Sequence, residues 1–187
     1  TFKLPDDYLY GSTVIVISMD GVSHEIEDNA SLTAFKRMEQ LGIKADHLIP
    51  VYQSTTYPAH VSLATGVYPD RHGILHNSFI DTQKGFFNYD ADANWIETPP
   101  IWVLAEQQGI TTAVFFWIGS ETDWRGIGAS YRKAPFDPNI TEEEKIDQIL
   151  QWVDMDDDQR PRLIMSYWDG TDTLGHQDGP QSPSVSQ

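Results

Sequence analysis

The sequence contains no cysteine, so a disulfide framework, a thiolate zinc cluster and a cysteine nucleophile are all excluded, and any zinc site has to be built from Asp and His. The same absence leaves the redox compartment undetermined. Basic residues are also scarce: 12 Lys plus Arg stand against 28 Asp plus Glu, a formal net charge of −16. No basic stripe is present to neutralise a phosphate backbone, so nucleic-acid wrapping is not expected. So acidic a surface repels a phosphorylated small molecule unless bound cations reverse the field inside one site. Long apolar runs are missing too. Val14 to Ile17 falls far short of the roughly 20 residues of a bilayer span, and residues 1–10 carry no basic, hydrophobic leader. The chain reads as soluble, with no transmembrane segment. With 13 Gly, 11 Pro, 40% hydrophobic residues and six Trp in 187 residues, it reads as one packed domain rather than a disordered or collagen-like chain.

Along the chain, strand-like and helix-like segments alternate. Thr13-Val-Ile-Val-Ile-Ser18 is a β-branched run that reads as a central strand buried on both faces, with Asp20-Gly21 as the turn at its carboxyl end. Leu32, Phe35, Met38 and Leu41 recur at helical spacing, with Asn29 or Ser31 as cap and Gly42 as stop, before a second expected strand at Ile43 to Ile49. A helix from about Pro100 to Gln108 and a strand from Ile110 to Trp117 repeat the theme. Thr141-Glu-Glu-Glu144 is a capping box for a helix carrying Ile146, Ile149, Leu150 and Val153 on one face, and Leu163 to Trp168 follows as a strand. This order predicts an α/β fold with a doubly wound, mostly parallel sheet and flanking helices. The acidic run Asp154 to Asp158 opens like a calcium loop, but Gln159 and Met165 stand where Gly and Glu are required, so it reads as a solvated loop. Asn29-Ala-Ser31 and Asn139-Ile-Thr141 match the glycosylation triplet.

Ligands of such sheets bind beyond the carboxyl ends of the strands. Four features fall at that edge: Asp20, the segment Ser54-Thr-Thr-Tyr-Pro-Ala-His60, Asn77, and Asp172-Thr-Leu-Gly-His176. Each also has an ordinary reading: Asp-Gly as a plain turn, Thr-Tyr-Pro as a helix start with Pro58 at its first position, Asp-x3-His as a helix-face pair. Together they suit phosphoryl transfer. Asp and His four residues apart supply oxygen and nitrogen to one cation, and two cations about 3.5–4 Å apart clamp an in-line displacement. A threonine hydroxyl needs a metal or a base before it attacks phosphorus, and a helix start offers backbone N–H groups to the phosphate. Asn77 could donate its side-chain amide to an oxygen on which charge develops.

Thr56-Tyr-Pro-Ala-His60 followed by Thr65-Gly-Val-Tyr-Pro-Asp-Arg-His-Gly-Ile-Leu-His-Asn77 resembles the type I phosphodiesterase/nucleotide pyrophosphatase family of the alkaline phosphatase superfamily, and the resemblance runs from Val14 to Pro180. It implies an alkaline-phosphatase-like fold, incomplete at its C-terminus, with residues 1–187 as the amino-terminal portion of one catalytic domain. The implied activity is two-zinc hydrolysis of a phosphodiester or nucleotide pyrophosphate through a phosphothreonine. In that family pattern Thr56 is nucleophile and metal ligand, and Asp20, Asp172 and His176 are further metal ligands. Asn77 binds phosphate, and Tyr57 and Tyr167 flank the substrate. His60 and His72 match the pattern as supports, whereas His24, His47 and His76 read as solvent-facing or packed, and Trp117 as core. Ala59 and Ala134 depart from the pattern, the latter where nucleotide-cleaving members carry an aromatic. The family's later Asp-His pair and His are not found after His176, so the 187-residue piece alone is expected to bind zinc poorly, to be inactive and to show an exposed sheet edge. Family members are generally exported, which implies a periplasmic or extracellular location. A phosphomonoesterase, a phosphonate hydrolase and a non-catalytic phosphate-binding module are the alternatives.

Overall fold

β-Branched and aromatic runs form the strands, and apolar residues at helical spacing form the helices between them. The computed structural model describes residues 12–23 and 32–186. A four-stranded sheet has the order β1-β6-β4-β5, built from β1 (Val14–Met19), β4 (Thr112–Phe115), β5 (Tyr131–Lys133) and β6 (Leu163–Trp168). β4 pairs in parallel with β5 through Ala113–Tyr131 and with β6 through Ala113–Ile164. Val14 N–H donates to Arg162 O and Asp20 N–H to Trp168 O, so β1 runs in the same sense as β6. This is the mostly parallel α/β arrangement that the order of elements predicted. A separate antiparallel hairpin pairs β2 (Ser78–Asp81) with β3 (Gly85–Asn88).

The contacts divide the described residues into two compact units. One holds residues 12–18 and 51–167, and the other holds 19–23, 32–50 and 168–186.

In the first unit, β4 is buried at every position, and Trp102 and Val103 of α4 (Ile101–Gln107) join it in the core with Ile149 and Trp152 of α5 (Glu142–Val153). Glu106 ties these layers together. Its carboxylate accepts from the N–H and hydroxyl of Thr112 and from the N–H and hydroxyl of Ser130, at 2.7–2.9 Å. Burial alone raises the pKa of such a carboxyl, but the hydrogen bonds outweigh it and hold Glu106 below the usual range. α5 begins on the predicted capping box: Thr141 Oγ1 accepts from Glu144 N–H, and Glu144 accepts from Thr141 N–H. Asp157 in the acidic run is clasped by Arg160 and Arg162.

In the second unit, α1 (Thr33–Leu41) forms on the predicted spacing, but none of its residues is buried. Its expected caps Asn29 and Ser31, the triplet at Asn29 and His24 lie outside the described residues. α6 (Gly170–Asp178) follows β6.

Four expectations are corrected. β1 is not a central strand: it lies at the end of the strand order, with Val14 58% and Ile17 43% exposed. A β-branched run encodes extended backbone, but its burial depends on what packs against it. Residues 43–49 form no strand: among the described residues no neighbouring ladder takes up their backbone groups, and Ile43, Leu48 and Ile49 are exposed. β4 ends at Phe115 rather than Trp117 because Phe116 turns into the left-handed region at φ 56°, sending its N–H to Lys133 O. The helix around Pro58 starts two residues earlier, at Thr56. Among the described residues no helix is long and apolar enough to cross a membrane.

Candidate active site

Within the first unit the site is built on the start of α2 (Thr56–Thr65), whose N-cap Thr55 is extended and makes no side-chain cap. Thr56 is the first helical residue and Pro58 the third, a position where a missing N–H costs no intrahelical bond. The expected comb of phosphate-facing N–H groups is correspondingly thinned. Pro58 has none, Ala59 donates to Thr55 O, and Tyr57 donates to Asn77 Oδ1 at 2.8 Å. That last bond holds the Asn77 amide by its oxygen and leaves the Nδ2 hydrogens to other acceptors. Nδ2 in turn reaches Tyr89 Oη at 3.4 Å. Tyr89 escaped sequence reading: it follows a short hairpin strand, twelve residues from Asn77, and carries no motif.

His60 anchors the helix start. Its Nδ1 lies 2.7 Å from Thr56 O, which can only accept, so Nδ1 carries the proton, and Nε2 lies 2.8 Å from Ser18 Oγ. Trp117 Nε1 donates to His60 O, and the rings of Trp117 and Tyr167 pack edge-on against the imidazole at 5.5 and 5.0 Å. Trp117 is buried, as its core reading requires. Tyr167 is 7% exposed and packs against Phe136 as well, so in this conformation it offers little surface to a ligand. Tyr57 is half-buried, edge-on to Phe87 at 5.6 Å and to Tyr89 at 5.4 Å. Its phenol is pushed up to about 12, first by burial and then by Glu121, Tyr89 and Asp90. It therefore stays neutral, a flat apolar face with a donor at its tip.

His72, the last residue of the short α3 (Pro69–His72), supports α2. Ile74 N–H donates to its Nδ1, so Nε2 bears the proton and gives it to Ser62 Oγ at 2.8 Å. Burial lowers its pKa from 6.5 to about 4. As pH falls, the unfolded chain takes up this proton before the folded one. The stability contribution is thus complete above about pH 6.5 and is lost progressively toward pH 4. Urea midpoints of the parent and of His72→Asn, measured from pH 7 to 4, are expected to converge as the pH drops; parallel curves would remove His72 as the cause.

Within the second unit, Asp20 follows β1, its N–H bonded to Trp168 O and its Oδ1 accepting from Gly21 N–H at 3.1 Å. Gly21 sits at φ +72° against Asp172: a Cβ there would stand 2.8 Å from Asp172 Cα. Asp172 and His176 are one helical turn apart on α6, with Oδ1 3.6 Å from Nε2. This unit therefore brings the Asp20–Gly21 turn against Asp172 and pairs Asp172 with His176. The chemistry of that donor pair, one carboxylate oxygen and one imidazole nitrogen, fits zinc. Among the described residues no group of three or more His, Asp or Glu is arranged to hold an ion.

A family model described as type I phosphodiesterase / nucleotide pyrophosphatase matches residues 14–187. An uncharacterised pyrophosphatase/phosphodiesterase of Schizosaccharomyces pombe is 36% identical over 184 residues, 95% of this chain and 38% of the relative. Human ectonucleotide pyrophosphatase/phosphodiesterase family member 1 is 32% identical over 91% of this chain and 19% of its own. Venom phosphodiesterase 2 of Crotalus adamanteus is 31% identical over 93% of this chain and 22% of its own. The solved structure of murine ectonucleotide pyrophosphatase/phosphodiesterase 5, an inactive threonine-to-alanine variant in complex with AMP, superposes with a TM-score of 0.86 at 24% identity. It is covered over 94% of this chain and 48% of its own, and the likeness carries the alkaline-phosphatase-like fold. The chain thus spans at most about half the length of these relatives.

Proposed function

Because the chain belongs to the type I phosphodiesterase/nucleotide pyrophosphatase family, we propose that it serves the hydrolysis of a phosphodiester or nucleotide pyrophosphate bond through a phosphothreonine at Thr56. The observation that supports this best is the bond from Tyr57 N–H to Asn77 Oδ1. It ties the Asn77 amide to the residue that follows Thr56, so that a side chain able to donate and a threonine hydroxyl belong to the same helix start.

Asp20, Thr56, Asp172 and His176 are the proposed ligands for two zinc ions. When bound, zinc supplies Lewis acidity, lowering the pKa of a coordinated hydroxyl and taking up charge on a leaving oxygen. Thr56 Oγ1 gives up its proton and forms a bond to phosphorus as the bond to the leaving oxygen breaks, and that oxygen departs with a proton. Water then attacks from the vacated side, its hydroxyl joining phosphorus as the Thr56 ester bond breaks, and Oγ1 recovers a proton. Two inversions retain configuration. Asn77 Nδ2 donates to a non-bridging oxygen throughout, and Tyr57, neutral and half-buried, offers its ring to a flat substituent. The names of the relatives, ectonucleotide and venom enzymes among them, support a site of action outside the cell.

The direct test is hydrolysis of matched aryl mono- and diesters by the full-length protein. Diester turnover is expected to exceed monoester turnover in kcat/KM and to fall to background with a chelator, returning with zinc. Monoester preference, or turnover indifferent to chelation, would overturn the reading.

A further inference from the structure

We propose that Tyr89 is a positioning residue for the proposed chemistry: its hydroxyl sets the plane of the Asn77 amide, so that one Nδ2 hydrogen is held and the other is left aimed for a phosphate oxygen. The inference rests on the assignment of Asn77 as the phosphate donor. The terminal torsion of an asparagine is broad, and a single contact at Oδ1 leaves the amide free to rock about it. Tyr57 N–H supplies that first contact at 2.8 Å. The second comes from the other end of the amide, where Nδ2 reaches Tyr89 Oη at 3.4 Å. The NH₂ group carries two hydrogens, so the bond to Tyr89 occupies one and leaves one to donate. Bonds of this kind are often long before substrate arrives and tighten when charge builds on the acceptor that the donor serves.

Core packing does not account for Tyr89. It is 57% exposed and lies just beyond the end of β3. Its backbone sits at φ +48°, a left-handed conformation that a bulky aromatic seldom adopts. What that backbone achieves is a second tie to the same asparagine: Tyr89 N–H donates to Asn77 O at 3.0 Å. The ring stands at 90° to Tyr57, 5.4 Å away, which holds the phenol between the two residues of the proposed site. Main chain, ring and hydroxyl of an exposed side chain are thus all directed at Asn77 and Tyr57. An outlier conformation maintained in this way is the pattern expected where local geometry serves a site.

The test is a double-mutant cycle in the full-length protein with an aryl phosphodiester as probe. Tyr89→Phe keeps the ring and its contact with Tyr57 and removes only the hydroxyl. It is expected to lower kcat about 3- to 10-fold with KM nearly unchanged. Asn77→Ala is expected to lower kcat about 100-fold or more, and Tyr89→Phe added to it should cost nothing further. An equal loss in both backgrounds, or an unchanged kcat in Tyr89→Phe, overturns the inference. The ¹⁵N and ¹H resonances of the Asn77 side-chain amide provide a readout independent of turnover, and they are expected to move in Tyr89→Phe. If the unmutated protein hydrolyses no diester but these resonances move, the pairing stands and the proposed activity falls. If they stay where they are, the pairing itself is refuted.

Discussion

Alanine at position 56 is expected to reduce diester turnover by the full-length protein about a thousandfold or more, the scale of loss when a nucleophile is removed from a covalent mechanism. The structure makes this a clean substitution. Thr56 is the first residue of α2 and is not its cap, that place belonging to Thr55. The contact that anchors this turn uses the Thr56 carbonyl, which accepts from His60 and survives any change of side chain. Alanine is also well tolerated in a helix, so the helix itself is expected to persist. A thermal melt matching the parent beside absent turnover is the expected pair of results. Thr56→Ser, which keeps the hydroxyl, should recover part of the activity. Turnover that persists in Thr56→Ala would take the nucleophile's role away from this residue.

The second large effect is expected from Gly21→Ala. Two costs combine there. Any residue with a Cβ pays about 1–2 kcal/mol to occupy the left-handed region in which Gly21 sits at φ +72°. The new methyl would also stand 2.8 Å from Asp172 Cα, 3.0 Å from its Cβ and 3.1 Å from its N. These are main-chain and first side-chain atoms, so no rotamer change relieves the clash and Asp172 has to move. With it moves one end of the Asp172–His176 pair. If Asp172 is a zinc ligand as proposed, displacing it should lower affinity about 10- to 100-fold, the usual cost of disturbing a ligand's support, and zinc titration of full-length Gly21→Ala is expected to show a loss of that order. Gly109→Ala is the control. Its φ of +75° imposes the same backbone cost, but the methyl would meet nothing within 4 Å. Gly109→Ala should lose stability and keep zinc affinity; an equal fall in affinity for both variants would show that Asp172 is not involved.

Features whose cause lies within a few residues were legible in the sequence. The capping box at Thr141 and Glu144 is closed by its own four residues, and the structure contains both of its bonds. β6 spans the predicted Leu163 to Trp168 because a short run that is apolar except for Ser166, between turn signals, has few other solutions. Ile43 to Ile49 has a weaker local pattern, interrupted by Lys44, Asp46 and His47, and a strand also needs a partner, which is not encoded locally. The helix start at Thr56 was missed because Pro58 suits the third helical position as well as the first. For the candidate site, the sequence pointed to Asp20, the segment 54–60, Asn77 and the Asp172–His176 pair, and the family resemblance singled out Thr56 within that segment. Neither could reveal that Tyr57 offers Asn77 a backbone donor, or that Ser18 and His60, 42 residues apart, meet through a hydrogen bond.

The commitments of His60 bear on which kind of hydrolase this chain can be part of. In serine hydrolases an imidazole with a free lone pair draws the proton from the attacking hydroxyl. Here the ring one helical turn beyond Thr56 spends its proton on a carbonyl and its lone pair on Ser18. It has nothing left with which to act as a base toward its own helix. If the threonine at this position becomes an alkoxide as proposed, the ring of residue 60 is not placed to take its proton, because using it so would first break the joint that holds α2 to β1.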